Sequence, residues 1–389
     1  MDFTNLSAYL DTLASVGVPG CDLAVWRDHE PLFRHQAGFR DAALTEPVRG
    51  DETYNLYSAT KVFTTCAAMQ LIERGVISLD DPVSAYLPAY AHLTVKDGDT
   101  VRPAKRTMTV RHLMSMQGGM DYDMTSPSFL ALIEEVGPAA STRQLVDAKA
   151  KDPLQFEPGT NFLYSVCHDV LAAVIEVASG KRFSEYLKEN IFDPLRLCTV
   201  TFRPTDAVLA RMAQQYEFSD ALKKPVPMPD DSNNYRLTPN YESGGAGLIA
   251  DVKDYITFAD ALACGGESRD GARILSPEMI QLWSANQLGP ASRASFDEWQ
   301  RLGYSYALGV RTRVSTAVGG RVDHDRPGQP PLRVLRHARA QLRLLLRRDP
   351  SESARPDLQS GDGLTLTRHV GAAHRRPYMK FGVWFAAYP

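Results

Sequence analysis

Apolar residues recur at helical spacing along much of the chain, and the strongest such stretch covers residues 59–74. Its broad apolar face comprises Val62, Phe63, Cys66, Met69, Gln70 and Leu71. Gly75 follows, and glycine commonly ends a helix in a left-handed conformation. The same spacing predicts a helix over 4–16. Residues 21–26 and 32–38, separated by the polar residues 27–30, predict a β-hairpin.

The pattern changes in the middle of the chain, from about residue 80 to 240. Helical segments there alternate with long Pro/Gly-containing loops, and we predict helices at 109–116, 127–136, 141–149, 167–179 and 183–190. Beyond this region we predict a strand at 244–250, helices at 252–263 and 276–285, and a strand at 304–314. Strands near both ends with helices between them indicate an α+β fold, with an antiparallel sheet flanked by helices and a mostly helical inserted region.

Charge is distributed unevenly along the 389 residues. The formal net charge is only −3, but residues 321–389 hold 13 Lys and Arg against 6 Asp and Glu, which leaves 30 against 40 in the preceding part. The chain as a whole therefore gives no reason to expect a nucleic-acid partner.

The cysteines and the apolar runs indicate where the protein is located, and the spacing of ligand-type residues indicates whether it binds a metal or a cofactor. The five cysteines have no CxxC spacing and predict reduced, mostly buried thiols. The N-terminus has no signal-peptide pattern and no apolar run is long enough to span a membrane, so we expect a cytoplasmic protein without membrane attachment. We expect no metal and no cofactor, because no residues have zinc-ligand spacing and no glycine loop has a phosphate-binding pattern. The sequence leaves the oligomeric state undetermined.

The segment Ser58-Ala59-Thr60-Lys61 is the candidate for nucleophilic chemistry. Side chains three apart on a helix share a face, so the Lys61 amine can reach the Ser58 hydroxyl. Unpaired N–H groups at a helix start can stabilise an oxyanion. Desolvation beside Val62 and Phe63 would favour the neutral amine, which can accept a proton. One such spacing is nevertheless expected by chance in a chain of this length, so its context must decide.

A Ser-His-Asp triad is the alternative for the same nucleophile. His112 and His168 would supply the base, with Asp169 or Asp251 orienting it. The residues before Ser58 do not form a Gly-x-Ser-x-Gly elbow, which disfavours this interpretation. We expect His112 to hold a local hydrogen bond instead.

The context of Ser58 resembles the class C β-lactamase superfamily, which includes β-lactamase-like (family VIII) carboxylesterases, DD-peptidases and some acyltransferases. The resemblance is carried, between about residues 10 and 318, by Ser58–Gly75, Leu79–Val83, Thr109–Met120, Phe156–Thr160, Tyr164–Val166, Asn190–Leu195, Ser243–Leu248 and Gly303–Val310. It implies a β-lactamase/DD-peptidase-like catalytic domain over 1–320, with the helical insert at about 80–240.

The resemblance also implies roles for single residues. Tyr164 matches the catalytic tyrosine of the Tyr-x-Asn motif, so Ser58, Lys61 and Tyr164 are the predicted catalytic residues. Val166 stands where β-lactamases usually have asparagine, which counts against efficient β-lactam hydrolysis. Tyr122 follows the Gly118-Gly119-Met120 loop and is a candidate for binding substrate in the acyl pocket.

Residues 321–389 form an atypical arginine-rich C-terminal segment, in which the family's third motif is not recognisable. Either this segment is divergent, or a reading-frame change in a GC-rich gene produced it; the abrupt loss of pattern favours the latter. His369-Val370-Gly371 is a weak match to a third motif, and residues 332–348 could form a basic amphipathic helix.

Three functions remain open at this stage. We expect a serine hydrolase that cleaves small carboxylic esters, with a small-molecule ester or amide as its partner. The second alternative is a penicillin-recognising enzyme or a small-molecule acyltransferase. The third is a non-catalytic family member that lacks the third motif.

Overall fold

The structure, a computed structural model, describes residues 2–13, 18–219, 221–222, 224–228, 237–299, 303–314 and 384–387. Its helices are α1 Thr4–Thr12, α2 Thr60–Glu73, α3 Val110–Met114, α4 Pro127–Val136, α5 Thr142–Lys149, α6 Cys167–Ser179, α7 Phe183–Leu187, α8 Asp206–Leu209, α9 Val252–Ala263, α10 Pro277–Ser284 and α11 Pro290–Trp299. Its strands are β1 Gly20–Arg27, β2 Glu30–Gly38, β3 Thr53–Asn55, β4 Thr94–Asp97, β5 Thr100–Pro103, β6 Tyr216–Ser219, β7 Lys224–Pro227, β8 Ile249–Asp251, β9 Tyr304–Tyr306, β10 Arg311–Arg313 and β11 Trp384–Ala387.

The largest sheet of the described residues has the strand order β11-β1-β2. β1 and β2 form the predicted antiparallel hairpin, whereas β11 pairs with β1 in the parallel direction. Side chains alternate across β1: Leu23 and Val25 pack with Leu6 of α1, and Ala24 packs with Ile256 of α9. The sheet therefore lies between α1 on one face and α9 on the other, as expected for an α+β fold.

Helix α2 runs through the main hydrophobic core. All but one of its residues from Thr60 to Leu71 are buried, so this helix is enclosed on nearly every side rather than amphipathic. Phe63 stacks on Phe258 of α9 with ring centroids 3.9 Å apart, and α6 packs along another side of α2. Gly75 follows the helix with φ of +68°, as the sequence predicts.

The region from 80 to 240 is mostly helical, as predicted, and the bounds of α4 and α6 agree with the predicted ranges. It also contains two short antiparallel hairpins that the sequence analysis did not predict, β4–β5 and β6–β7. The predicted helix at 183–190 ends as α7 at Leu187 and continues as a π-helical turn over Lys188–Phe192.

Two strand predictions were wrong in their extent. Residues 304–314 form a hairpin of β9 and β10 rather than one strand, because Gly309 has φ of +77° and the chain reverses there. The predicted strand at 244–250 is a strand only from Ile249, since its glycines lie against α6 in a turn. A Cβ at Gly244 would be 2.4 Å from the His168 carbonyl oxygen. The chain therefore packs closely against α6 here instead of pairing as a strand.

The C-terminal predictions lie largely outside the described residues. These are the division of the chain at residue 320, the segment 332–348 and His369-Val370-Gly371. All five cysteines are free thiols, and Cys21, Cys66 and Cys167 are buried. Among the described helices, none combines the length and the apolar character that a bilayer crossing requires.

Candidate active site

Ser58 lies in a 3₁₀ turn, Tyr57–Ala59, that leads directly into α2. It is exposed, whereas the helix that follows it is buried. Tyr57, immediately before it, has φ of +45°, a conformation that costs a non-glycine residue about 1–3 kcal/mol. The turn is held in place by the β3–β8 pair and by the Leu56 N–H, which donates to the Leu248 carbonyl at 2.9 Å.

Lys61 is buried beneath Ser58, with only 2% of its surface exposed. Its Nζ lies 2.7 Å from the Gly245 carbonyl oxygen, 2.9 Å from the Tyr122 hydroxyl and 3.5 Å from Ser58 Oγ. A neutral amine has two N–H donors and one lone pair. Donation to Gly245 and Tyr122 would direct that lone pair toward Ser58, so the three contacts suit an amine that accepts the serine proton.

Two tyrosines enclose the lysine. The Tyr164 ring centroid lies 4.8 Å from Lys61 Nζ and the Tyr122 ring centroid 5.6 Å from it, while the two rings are 5.9 Å apart. The structure therefore brings together all four side chains predicted from the sequence. It places the Tyr122 hydroxyl on the lysine itself, a contact beyond the substrate-binding role that the sequence predicted.

A buried lysine that the sequence analysis missed supports the Tyr122 segment. Lys149, at the end of α5, donates to Asp121 at 2.8 Å, to the Asp123 carbonyl at 2.9 Å and to Asp152 at 2.9 Å. Burial opposes its charge, but its hydrogen bonds to Asp121 and Asp152 outweigh this, and the pKa of Lys149 is raised. The residues on either side of Tyr122 are thereby tied to α5.

The contact between Lys61 and the Gly245 carbonyl was also not predicted from the sequence. It belongs to the Ser243–Leu248 segment, which the resemblance singled out without assigning it a role. Asp169 of α6 accepts a hydrogen bond from Ser243 Oγ at 2.6 Å and from the Gly245 N–H at 3.3 Å. Asp169 thus contacts this segment and not a histidine, contrary to the triad alternative.

The two histidines of that alternative have other positions. His112 Nδ1 accepts from the Thr109 N–H at 3.2 Å, which is the local hydrogen bond that the sequence predicted. His168 is completely buried, and burial lowers its pKa to about 3. Neither histidine is placed to orient or deprotonate Ser58, which Lys61 contacts instead.

Val166 is buried in the main core immediately before α6. Its isopropyl group can offer no hydrogen bond at the position where the β-lactamase motif has an amide. The helix that follows carries Asp169 within its first turn.

One group of metal-ligand types is present among the described residues, although the sequence indicated none. His29, Asp260 and Cys264 place their ligand atoms within 4.8 Å of one another. His29 Nδ1 lies 2.7 Å from Asp260 Oδ2, and Cys264 Sγ lies 3.8 Å from Asp260 Oδ1. These hydrogen bonds tie the β1–β2 turn to the end of α9 and account for the cluster without an ion.

Curated relatives of the chain include enzymes of ester and acyl chemistry. The lovastatin esterase of Penicillium rubens is 28% identical over 280 residues, which span 70% of this chain and 68% of the relative. Esterase EstB of Burkholderia gladioli is 27% identical over 293 residues, 67% of this chain and 71% of the relative. Acyltransferase calJ of Penicillium decumbens is 29% identical over 305 residues, which span 74% of this chain and 68% of the relative.

Solved structures agree on the fold. Simvastatin synthase (LovD) from Aspergillus terreus superposes with a TM-score of 0.67 at 24% identity, over 82% of this chain and 85% of that one. EstCE1, a hydrolase with promiscuous acyltransferase activity, superposes with a TM-score of 0.65 at 24% identity, over 80% of this chain and 84% of that one. The family model named Beta-lactamase matches residues 6–363, and the chain therefore belongs to the β-lactamase family.

Proposed function

We propose that this protein is a serine hydrolase that cleaves small carboxylic esters through an acyl-enzyme on Ser58. The observation that carries the proposal is an exposed serine hydroxyl above a buried lysine whose other two contacts are acceptors. The names of the relatives support ester chemistry in this family, since two of those compared are esterases.

The first step is acylation. Ser58 gives its proton to Lys61, with Tyr164 beside it, and Oγ bonds to the carbonyl carbon of the ester while the carbonyl oxygen becomes an oxyanion. The Ser58 N–H at the helix start is our candidate for one oxyanion donor. Collapse breaks the bond to the leaving alcohol oxygen, which takes a proton from the Lys61–Tyr164 pair. In the second step water gives a proton to the same pair as its oxygen bonds to the acyl carbon. Collapse then breaks the bond between that carbon and Ser58 Oγ, which takes the proton back, and the carboxylic acid leaves.

Esters are favoured over β-lactams because of Val166. A penicillin-recognising site gains from a side-chain amide that hydrogen-bonds the substrate's own amide, and a buried valine cannot supply one. Replacing Val166 with Asn should therefore raise nitrocefin turnover more than it raises ester turnover.

Acyl transfer to a small-molecule alcohol is the second candidate. The observation in its favour is that acyltransferase calJ matches this chain at 29% identity, similar to the esterases. The acyl-enzyme is common to both reactions, and only the acceptor in the second step differs.

Turnover of p-nitrophenyl butyrate and nitrocefin, measured for the wild type and for Ser58→Ala, tests the proposal. We expect butyrate ester hydrolysis that falls by at least about 1000-fold in the variant. Adding a primary alcohol tests the second candidate, which predicts the transferred butyrate ester as a product. Nitrocefin turnover faster than ester turnover would favour a penicillin-recognising enzyme. A folded wild type that is silent on both substrates would favour a non-catalytic family member.

A further inference from the structure

The position of Lys61 depends on a carbonyl group that no regular secondary structure holds. Gly245 lies in a turn between the loop at 237–243 and β8, and its oxygen is the closest contact of Lys61 Nζ at 2.7 Å. A carbonyl in a turn can rotate with its peptide plane. Something outside the turn must therefore fix the direction of this oxygen if Lys61 is to stay aligned with Ser58.

The Gly245 carbonyl shares its peptide plane with the Ala246 N–H, which donates to Ser243 Oγ at 3.0 Å. Asp169 in turn holds Ser243 and the turn through three contacts. Its Oδ1 accepts from Ser243 Oγ at 2.6 Å, from the Tyr241 hydroxyl at 2.7 Å and from the Gly245 N–H at 3.3 Å. Asp169 is 3% exposed and lies in the first turn of α6, where the helix dipole favours a negative charge. Burial and the neighbouring Asp169 charge raise the pKa of Tyr241 well above its usual value, so its phenol remains a donor.

The glycines of the segment fit this arrangement sterically. A Cβ at Gly245 would lie 2.5 Å from Asp169 Oδ2, and one at Gly244 would lie 2.4 Å from the His168 carbonyl oxygen. The turn is thus pressed against the start of α6, and only residues without a side chain allow that approach. Thr64 of α2 adds a hydrogen bond from its hydroxyl to the Gly244 carbonyl at 2.7 Å.

We infer that Asp169 is a positioning residue for the reaction: through Ser243 and Gly245 it holds the carbonyl that aligns the Lys61 amine with Ser58. This inference rests on the proposed function, since it assigns Asp169 a role in the same proton transfer. It differs from a purely structural role, in which Asp169 would stabilise the fold without affecting Lys61.

Asp254 offers a matched control. It is also a buried aspartate in the first turn of a helix, and it also accepts hydrogen bonds from a loop, namely from the Cys198 and Thr199 N–H groups and the Thr199 hydroxyl. Its loop is not the one that contacts Lys61. Asp169→Asn and Asp254→Asn therefore remove the same charge from similar settings.

The first measurement is the kinetics of p-nitrophenyl butyrate hydrolysis alongside thermal unfolding. We expect kcat of Asp169→Asn to fall about 100-fold with KM little changed, the effect of displacing a catalytic group by about an ångström. Asp254→Asn should lose a similar amount of thermal stability and keep its kcat. Equal kcat values in the two folded variants would overturn the inference.

The second measurement does not require activity. In the Ser58→Ala background, with ¹⁵N-lysine, the hydrogen-bonded Lys61 Nζ should give a correlation protected from exchange with water, assigned by its loss in Lys61→Met. We expect Asp169→Asn to shift or lose this signal and Asp254→Asn to leave it in place. An unchanged signal in Asp169→Asn would overturn the inference even if ester turnover were absent. Failure of the proposed function would instead show as ester turnover unaffected by Ser58→Ala.

Discussion

Lys61 Nζ and the Tyr122 hydroxyl lie 2.9 Å apart, closer than the 3.5 Å that separates the same nitrogen from Ser58 Oγ. The lysine is therefore shared between the Ser58 hydroxyl and a tyrosine that follows the Gly118-Gly119-Met120 loop. Tyr164 approaches the same nitrogen through the face of its ring, with the centroid at 4.8 Å. The two tyrosines consequently contact Lys61 in different ways, which predicts different effects of removing their hydroxyls.

Tyr122→Phe and Tyr164→Phe should separate these roles. Loss of the Tyr122 hydroxyl removes one acceptor from Lys61, worth about 1–1.5 kcal/mol, so we expect kcat/KM for p-nitrophenyl butyrate to fall about 10-fold. Loss of the Tyr164 hydroxyl removes a proton-transfer group, and we expect a fall of about 100-fold to 10,000-fold. A larger loss in Tyr122→Phe than in Tyr164→Phe would assign the proton transfer to Tyr122.

Lys149→Met should destabilise the fold near the site. The substitution leaves the carboxylates of Asp121 and Asp152 without their shared cation, and breaking a buried pair of this kind costs about 3 kcal/mol. Urea unfolding measures this loss directly. The control is Lys181→Met, which breaks the exposed pair with Glu189 and should change the free energy of unfolding by about 0.5 kcal/mol or less. Similar losses in the two variants would contradict the role of Lys149 as a buried link.

Acid should weaken the fold through His168. In the folded protein its pKa is about 3, because of burial, whereas in the unfolded chain it is about 6.5. The unfolded chain therefore binds a proton between these pH values that the folded protein does not. The contribution of His168 to stability is complete above pH 6.5 and is lost as the pH falls toward 3, by about 1.4 kcal/mol per unit.

Urea unfolding at pH 7, 6 and 5 measures this dependence. We expect His168→Gln to flatten the decline by the equivalent of about one proton. His92→Gln, at an exposed histidine, should follow the wild type. The prediction fails if His168→Gln loses stability with falling pH as steeply as the wild type does.

Local patterns predicted many of the helices and the contact between Lys61 and Ser58. The spacing of apolar residues indicated α2, α6 and α9 because each helix buries residues close together in sequence. Ser58 and Lys61 share a face for the same reason, since they are three positions apart. The hairpin of β1 and β2 was predicted because the polar residues 27–30 separate two strand-like segments.

The contacts of the site that the sequence did not predict join residues far apart in the chain. Tyr122 and Gly245 meet Lys61 across 61 and 184 positions, and Asp169 meets Gly245 across 76. The spacing of apolar residues along one helix or strand does not reveal such contacts. The pairing of β11 with β1 likewise joins opposite ends of the chain, so its parallel direction could not be inferred from either strand alone.

The most direct test of the account is the site of acylation. Protein mixed with p-nitrophenyl butyrate, quenched in acid within milliseconds and digested with trypsin, should carry one butyryl group on the peptide of residues 50–61. Fragmentation should place it on Ser58, and Ser58→Ala should carry none. A butyryl group on another residue, or ester turnover that persists in Ser58→Ala, would contradict the assignment of Ser58 as the nucleophile.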